Sequence, residues 1–260
     1  GDESPEDLML LGRDVFTFRN ARRSFSADIP WGNATATLRW NHVFNRKLFA
    51  NTTLVYNDYG FSFAAAQNDF ALKLSSGIQD WNAKVDVDYY PAPEHKMRFG
   101  GLYTYHTFKP NILTGGQGDV TFEPNTESKK YAAETGLYIQ DDWELNDRIR
   151  IHAGLRFSSF TQLGPYKIFQ RDADGNKTDS TVYGRGNAVK SYSGFEPRFT
   201  IRYSINETTS LKASATRNYQ YIHLVSNAGS TLPTDLWVPS TYRVQPQLSW
   251  QYAAGVFKNF

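Results

Sequence analysis

Residues 131–160 alternate polar and apolar side chains almost without error, break at Asn146-Asp147, and resume the alternation in the opposite direction. On the first arm Leu137, Ile139 and Trp143 share one face, and Glu134, Gln140, Asp142 and Glu144 share the other. On the second arm Ile149, Ile151, Ala153, Leu155 and Phe157 oppose Arg148, Arg150, His152, Gly154 and Arg156. Side chains on a strand point to opposite sides with a period of two, so this spacing predicts a long hairpin, greasy on one side and charged on the other. Each arm reaches the roughly 9 to 11 residues that a tilted strand needs to cross a bilayer, well beyond the five or six typical of soluble strands. Such a ribbon suits lipid on one side and water on the other.

Composition narrows the alternatives. Of 260 residues, 16 are Tyr and 18 Phe but only 2 Met, a bias that fits pleated surfaces better than helices. No run of about 18 apolar residues is present, which excludes a membrane-spanning helix. The mean hydropathy of -0.55 would ordinarily suit a soluble protein, yet a barrel strand gives half its positions to a polar lumen and its signal per segment is weak. Lys and Arg total 28 against 26 Asp and Glu, so the net charge of +2 points to no nucleic-acid partner. The absence of Cys removes disulfides and thiolate metal sites.

The same alternation recurs over about nine strands: near residues 34–44, 48–63, 70–90, 96–108, both hairpin arms, 195–205, 210–221 and 249–260. In the first, Ala34, Ala36, Leu38 and Trp40 are expected to face lipid; in the third, Trp81, Ala83, Val85, Val87 and Tyr89. Short connections rich in Asn, Asp and Pro, as tight turns require, alternate with longer ones near 64–69, 109–130, 161–194 and 222–248. Outer-membrane barrels segregate loop length by end in this way. Aromatic girdles are expected at Trp40, Phe44, Phe49, Tyr89, Tyr90 and Trp143 on the short-turn side and at Tyr56, Tyr59, Tyr103, Tyr105, Phe157 and Tyr221 on the other. The expected fold class is all-β, an antiparallel transmembrane β-barrel. Nine strands do not match the even strand number of bacterial barrels, and no signal peptide begins at Gly1, so the expectation is part of a larger barrel.

Residues 38–53 (LRWNHVFNRKLFANTT), 86–101 (DVDYYPAPEHKMRFGG), 137–157 (LYIQDDWELNDRIRIHAGLRF), 196–198 (EPR) and 232–240 (LPTDLWVPS) resemble the barrel of a TonB-dependent receptor. The last segment resembles the Bacteroidetes-type receptors with a carboxypeptidase-regulatory-like N-terminal domain. The resemblance implies a 22-stranded barrel in the bacterial outer membrane enclosing a plug, driven by the TonB complex to import a siderophore, vitamin or oligosaccharide. It also implies lipid contact and, for glycan importers, a surface lipoprotein partner. Residues 1–260 would supply about nine of those strands, with the plug and TonB-box absent.

Two groups of residues are candidates for function. His223, Trp237, Tyr242 and Arg243 lie among Pro233, Pro239 and Pro246, where aromatic and cationic groups on a stiffened loop suit capture of an organic ligand. Trp237 would equally serve to pack the loop on the rim. The inward positions Glu134, Arg148, Arg150, His152, Arg156, Glu196 and Arg198 form either a polar track for ligand or a cross-strand ladder of opposite charges that solvates the lumen or seats a plug. Asp172, Asp174, Asn176 and Asp179 lack the spacing of a calcium loop, and Asp174-Gly175 between two strand-like runs predicts an outward hairpin instead. Gly115-Gly116-Gln117-Gly118 lacks the lysine and helix of a phosphate loop. No nucleophile context or metal-ligand spacing is found, so no enzymatic activity, metal or cofactor is expected. Two competing readings are a passive porin or adhesion barrel and a soluble β-sandwich that binds carbohydrate.

Overall fold

The computed structural model describes residues 13–20, 25–67, 70–117, 120–122, 129–225 and 236–259, and all of its regular structure is β-strand. The strands are β1 (Arg13–Asn20), β2 (Phe25–Asn45), β3 (Leu48–Gln67), β4 (Phe70–Tyr89), β5 (His95–Gln117), β6 (Val120–Phe122), β7 (Lys130–Glu144), β8 (Ile149–Leu163), β9 (Tyr166–Arg171), β10 (Lys177–Tyr183), β11 (Ala188–Ser204), β12 (Thr209–Gln220), β13 (Ile222–Val225), β14 (Leu236–Pro239) and β15 (Gln247–Lys258). Eleven of them form one antiparallel sheet in the order β1-β2-β3-β4-β5-β7-β8-β11-β12-β15, with β6 on β5. The hairpins β9–β10 and β13–β14 are excursions from it. Among the described residues β1 and β15 each have one neighbour, so the barrel wall is open.

Register shows why the alternation matters. Trp40, Thr52, Val85, Gly101, Leu137, Phe157 and Phe195 align across consecutive strands, and directly paired residues share a face. One residue further along, Asn41, Asn51, Asp86, Gly100, Tyr138, Arg156 and Glu196 form the opposite row. The first row is apolar and uncovered: Trp40 is 56% and Leu137 57% exposed. A soluble sandwich would bury it under a second sheet, and no sheet covers it among the described residues. Lipid is the solvent that such a face requires.

Several expectations need correction. The wall path holds ten strands against the expected nine or so, because the first strand was expected to begin only near residue 34, which leaves out β1 and the first part of β2. Strand β5 continues to Gln117, through what was expected to be a long loop. The expected loop at 64–69 is mostly ladder, since Gln67 still pairs with Phe70. At about 3.3 Å per residue, β4 with 20 residues exceeds a hydrocarbon layer of roughly 30 Å by far, so these upper halves stand above the membrane. Three girdle assignments fail by register. Phe49 pairs with Asp88 on the inner face, Tyr59 with Ile78, and Tyr221 is buried in the inner cluster.

The outward hairpin foreseen at Asp174-Gly175 is β9–β10. Its tip closes through Asp172, whose carboxylate accepts the backbone N–H of Asn176 at 2.8 Å and of Asp174 at 3.1 Å, with Gly175 in the left-handed region at φ 86°. Those bonds, led by that of Asn176, hold the carboxyl below its usual range.

Candidate functional site

Aromatic rings and buried charge meet on the upper inner wall. Directly paired Asp80 and His106 are joined from carboxylate to Nδ1 at 2.8 Å. Nε2 of His106 stands 3.8 Å from Glu134, which accepts from the Arg156 guanidinium at 3.1 Å. On the far side Arg156 approaches Glu196 at 3.9 Å. Glu134 pairs with Phe160, and Arg156 with Tyr138, so the guanidinium must reach past the Gly136–Ser158 pair. A Cβ at Gly136 would lie 3.1 Å from Nε and Nη2 of Arg156, so the glycine leaves room for the guanidinium's course.

A strap closes this region from above. After β12 the chain turns inward at Tyr221, whose ring stacks on Phe160 at 5.3 Å and 8° and whose hydroxyl is 2.7 Å from Ser158 Oγ. The hairpin β13–β14 follows, with β14 against β4 and β5. The return is fastened by the Ser240 N–H on the Tyr221 carbonyl (2.7 Å), the Tyr192 hydroxyl on the Thr241 carbonyl (2.7 Å) and the Tyr242 N–H on Gln162 (3.0 Å). Ile78, Phe108, Ala132, Phe160 and Tyr221 form the apolar cluster beneath, with Tyr59, Tyr192, Tyr219 and Ile222 at its margin.

The strap carries all four loop candidates, each with a partner of its own. His223 Nε2 lies 3.1 Å from Ser240 Oγ, Trp237 pairs with Leu224, and Arg243 stacks on the Tyr242 ring at 5.1 Å. The rest of this loop's candidate prolines divide: Pro239 ends β14, Pro246 precedes β15, and Pro233 lies outside the described residues. The inward charges instead separate into two groups. Glu134, Arg156 and Glu196 converge, whereas Arg150 with Glu144 (2.6 Å) and His152 with Asp142 (2.8 Å) form the expected cross-strand ladder near the short turns. Arg148 stands beside Ser204 at the mouth, and Arg198 faces Asn218 at 3.5 Å. Asp80 and His106 were not singled out from sequence, although alternation places both inward. Their pairing appears only once register is known.

Burial lowers the His223 imidazole below its ordinary value. The sign follows from linkage: the folded strap favours the neutral ring, so its stability is complete above about pH 6.5 and declines as pH falls from there through the lower folded value. The protection of β13 amides relative to intrinsic exchange at each pH should therefore fall on acidification, and His223→Gln should remove that pH dependence. An identical pH profile in the variant would refute the assignment.

A second close approach organises the row below. The Tyr138 ring lies over Gly100, and its hydroxyl donates to Asp86. A Cβ at Gly100 would collide with the Val85 carbonyl oxygen and stand 2.7 Å from the Tyr138 hydroxyl oxygen. Gly100→Ala is expected to cost about 1–3 kcal/mol and to displace Tyr138. Denaturation of the refolded barrel measures this, with Gly101→Ala, whose new contact at 3.1 Å is a movable Leu137 methyl, as the milder comparison.

An antiparallel wall with a lipid-type exterior and a charged, ring-lined interior defines an outer-membrane β-barrel. Residues 4–256 match the family described as TonB dependent receptor-like, beta-barrel, and the chain belongs to that family. It is a bacterial outer-membrane protein of this type. Similar solved structures include the ferric yersiniabactin uptake receptor FyuA from Yersinia pestis (12% identity, 91% of this chain and 34% of that one, TM-score 0.55). The copper transporter OprC is another (11%, 92% and 38%, TM-score 0.58), as is the closed form of the ferric-catecholate import receptor Fiu from E. coli K12 (13%, 90% and 38%, TM-score 0.53). The chain thus spans little more than a third of the length of these structures. No curated protein matches the sequence.

Proposed function

We propose that residues 1–260 form part of the barrel of an energy-coupled receptor that takes up a scarce ligand, a siderophore, vitamin or oligosaccharide, across the outer membrane. The observation that carries this reading is the strap: a loop bearing His223, Trp237, Tyr242 and Arg243 is folded across the inner wall and fastened there, where a passive channel would need open lumen. Stacking surfaces and a guanidinium at the entrance suit an organic ligand with delocalised or anionic groups. Glu134, Arg148, Arg150, His152, Arg156, Glu196 and Arg198 then provide the polar lining below. In this reading the wall carries no plug of its own, and contact with the TonB complex falls to a plug outside these residues. Glycan cargo would add a surface lipoprotein above the strap.

The test is ligand binding by the complete receptor in detergent against panels of ferric siderophores, cobalamins and oligosaccharides. One class should bind, and Trp237→Ala or Arg243→Ala should weaken it at least tenfold with an unchanged melting temperature. Uptake should require TonB. Ohmic conductance in planar bilayers without ligand, together with TonB-independent uptake, would favour a porin and defeat the proposal.

A further inference from the structure

The outer face carries cations just above its apolar belt. Ala153 is the middle of the outward run from Ile149 to Phe157, and from there to Leu163 a strand tilted by about 40° climbs about 25 Å, beyond the roughly 15 Å half-thickness of the hydrocarbon. Leu163 pairs with Tyr131, whose ring stands 6.1 Å from that of Tyr105 at the upper edge of the outer face. Arg185, in the turn between β10 and β11, lies near enough to act electrostatically on the Tyr105 hydroxyl. Tyr105 pairs with Trp81, and from that pair an apolar groove of about 630 Å³ runs down the outer face, bounded by Leu38, Leu54, Trp81, Ala83 and Tyr103. The hairpin β9–β10 extends β8 and β11 above this level. Its Tyr166 ring meets Tyr242 of the strap at 5.7 Å, which turns that side inward and leaves Lys167, Phe169 and Val182 on the outward side. Lys167 and Lys177 both lie over the Phe169 ring, at 5.0 and 4.3 Å, and Val182 is 70% exposed. The carboxylates of the hairpin lie elsewhere: Asp179 beside Gln170 on the inward side, Asp172 and Asp174 at the tip. Among the described residues Lys167, Lys177 and Arg185 form no ion pair, whereas the outward charges of the neighbouring strands, Asp58 and Lys109, neutralise each other at 2.8 Å.

We propose that this surface binds one phosphorylated lipid of the outer leaflet, with an acyl chain along the groove between Leu54, Trp81 and Tyr103 and its phosphate held by Arg185 and the outward lysines of β9–β10. Two features select this occupant together. The groove is continuous with the face that meets hydrocarbon, so what fills it is a lipid chain rather than a soluble partner. The cations stand where that chain's headgroup emerges, and a guanidinium matches phosphate oxygens in a paired geometry while lysines add charge. Phe169 and Val182 on the same side suit the boundary between headgroups and chains, and the lysines can cover Phe169 with their stems while their ammonium groups reach phosphate. An acidic protein would match the charges and leave the groove unused. The inference rests on the lipid-facing assignment of the wall and stands apart from the cargo and from TonB coupling.

Native mass spectrometry of the complete receptor released from micelles tests it, with lipid A, an acylated and diphosphorylated glucosamine disaccharide, as the probe and its dephosphorylated form as the control. The receptor should retain one lipid A at least fivefold more often than the control. Combined Lys167→Gln, Lys177→Gln and Arg185→Gln should abolish that preference with an unchanged melting temperature. Ala83→Phe, which fills the groove with an apolar ring on an exposed position, should lower retention of both lipids at least threefold. Ala36→Leu takes its place if that variant does not assemble. Equal retention of the two lipids overturns the proposal, as does a preference that survives the three charge substitutions. Retention unchanged by filling the groove overturns it too, because a patch that recognises charge alone, as for an acidic protein, behaves that way.

Discussion

Phe160→Ala should lower the stability of the refolded barrel by about 3–5 kcal/mol and free the strap from the inner wall. Phe160 is 0% exposed, and its ring is the platform on which Tyr221 stacks before the chain enters β13. Removing the ring leaves a void bounded by Tyr221, His106 and paired Tyr192, none of which can close it without abandoning bonds made elsewhere. Loss of the platform also loosens the Tyr221 hydroxyl from buried Ser158. Tyr221→Phe isolates that smaller effect, expected at about 1–1.5 kcal/mol, because it deletes the hydroxyl and keeps the stack. Denaturant titration measures both variants, and limited proteolysis of the 222–248 loop reports the strap. If Phe160→Ala were as stable and as protease-resistant as the parent, the strap would not be anchored through this ring.

Much of this architecture is legible in the alternation, and what escapes it does so for identifiable reasons. The faces of β4, β7, β8 and β11 follow directly from parity, because each meets two solvents and a one-residue slip would exchange them. β5 beyond Phe108 escapes because Pro110 and the Gly115-Gly116 pair look like loop. The ladder absorbs Pro110 at an irregularity where register shifts between Ser75 and Gly77, the kind of place where a sheet tolerates a missing N–H. At β2 the pairing with β3 is interrupted between Asp28 and Trp31, around Pro30. Neighbouring strands thus supply an order that local propensity does not announce.

The site divides in the same way. Parity places Glu134, Arg156 and Glu196 inside, but their convergence depends on register and on the space at Gly136. The strap is legible only as a loop with rings and prolines; its inward course depends on Tyr221 finding Phe160, two residues 61 positions apart in sequence that no periodicity connects. One outward charge was also missed. Asp141 lies in the lipid-facing row with Ala153 and Phe199, and it is accommodated by His95 at 2.6 Å, over which Trp143 stacks at 5.4 Å. Its position near the short turns, where the girdle meets water, is where a paired carboxylate is least costly.

The lipid-facing assignment itself predicts that Leu155→Arg will cost about 2–4 kcal/mol in the complete receptor folded into bilayers, whereas a polar exchange at neighbouring Arg156 directed inward will be governed by hydrogen bonds instead. Leu155 pairs with Ile139 on one side and Pro197 on the other, in a row that continues through Phe99 and Val87, and it is 44% exposed with no protein group over it. An arginine there has no carboxylate in its own row. It must reach for the interface along neighbouring apolar side chains, and the penalty depends on depth. The same substitution at Tyr203, one end of the outward face of β11 near the short turn, should therefore cost well under half as much. In detergent micelles, which deform around a charge, both penalties should shrink together. Reversible folding into bilayers of defined thickness, read by tryptophan fluorescence, separates these cases. Equal tolerance at Leu155 and Tyr203, or a Leu155 penalty indifferent to bilayer thickness, would mean that this face does not meet hydrocarbon.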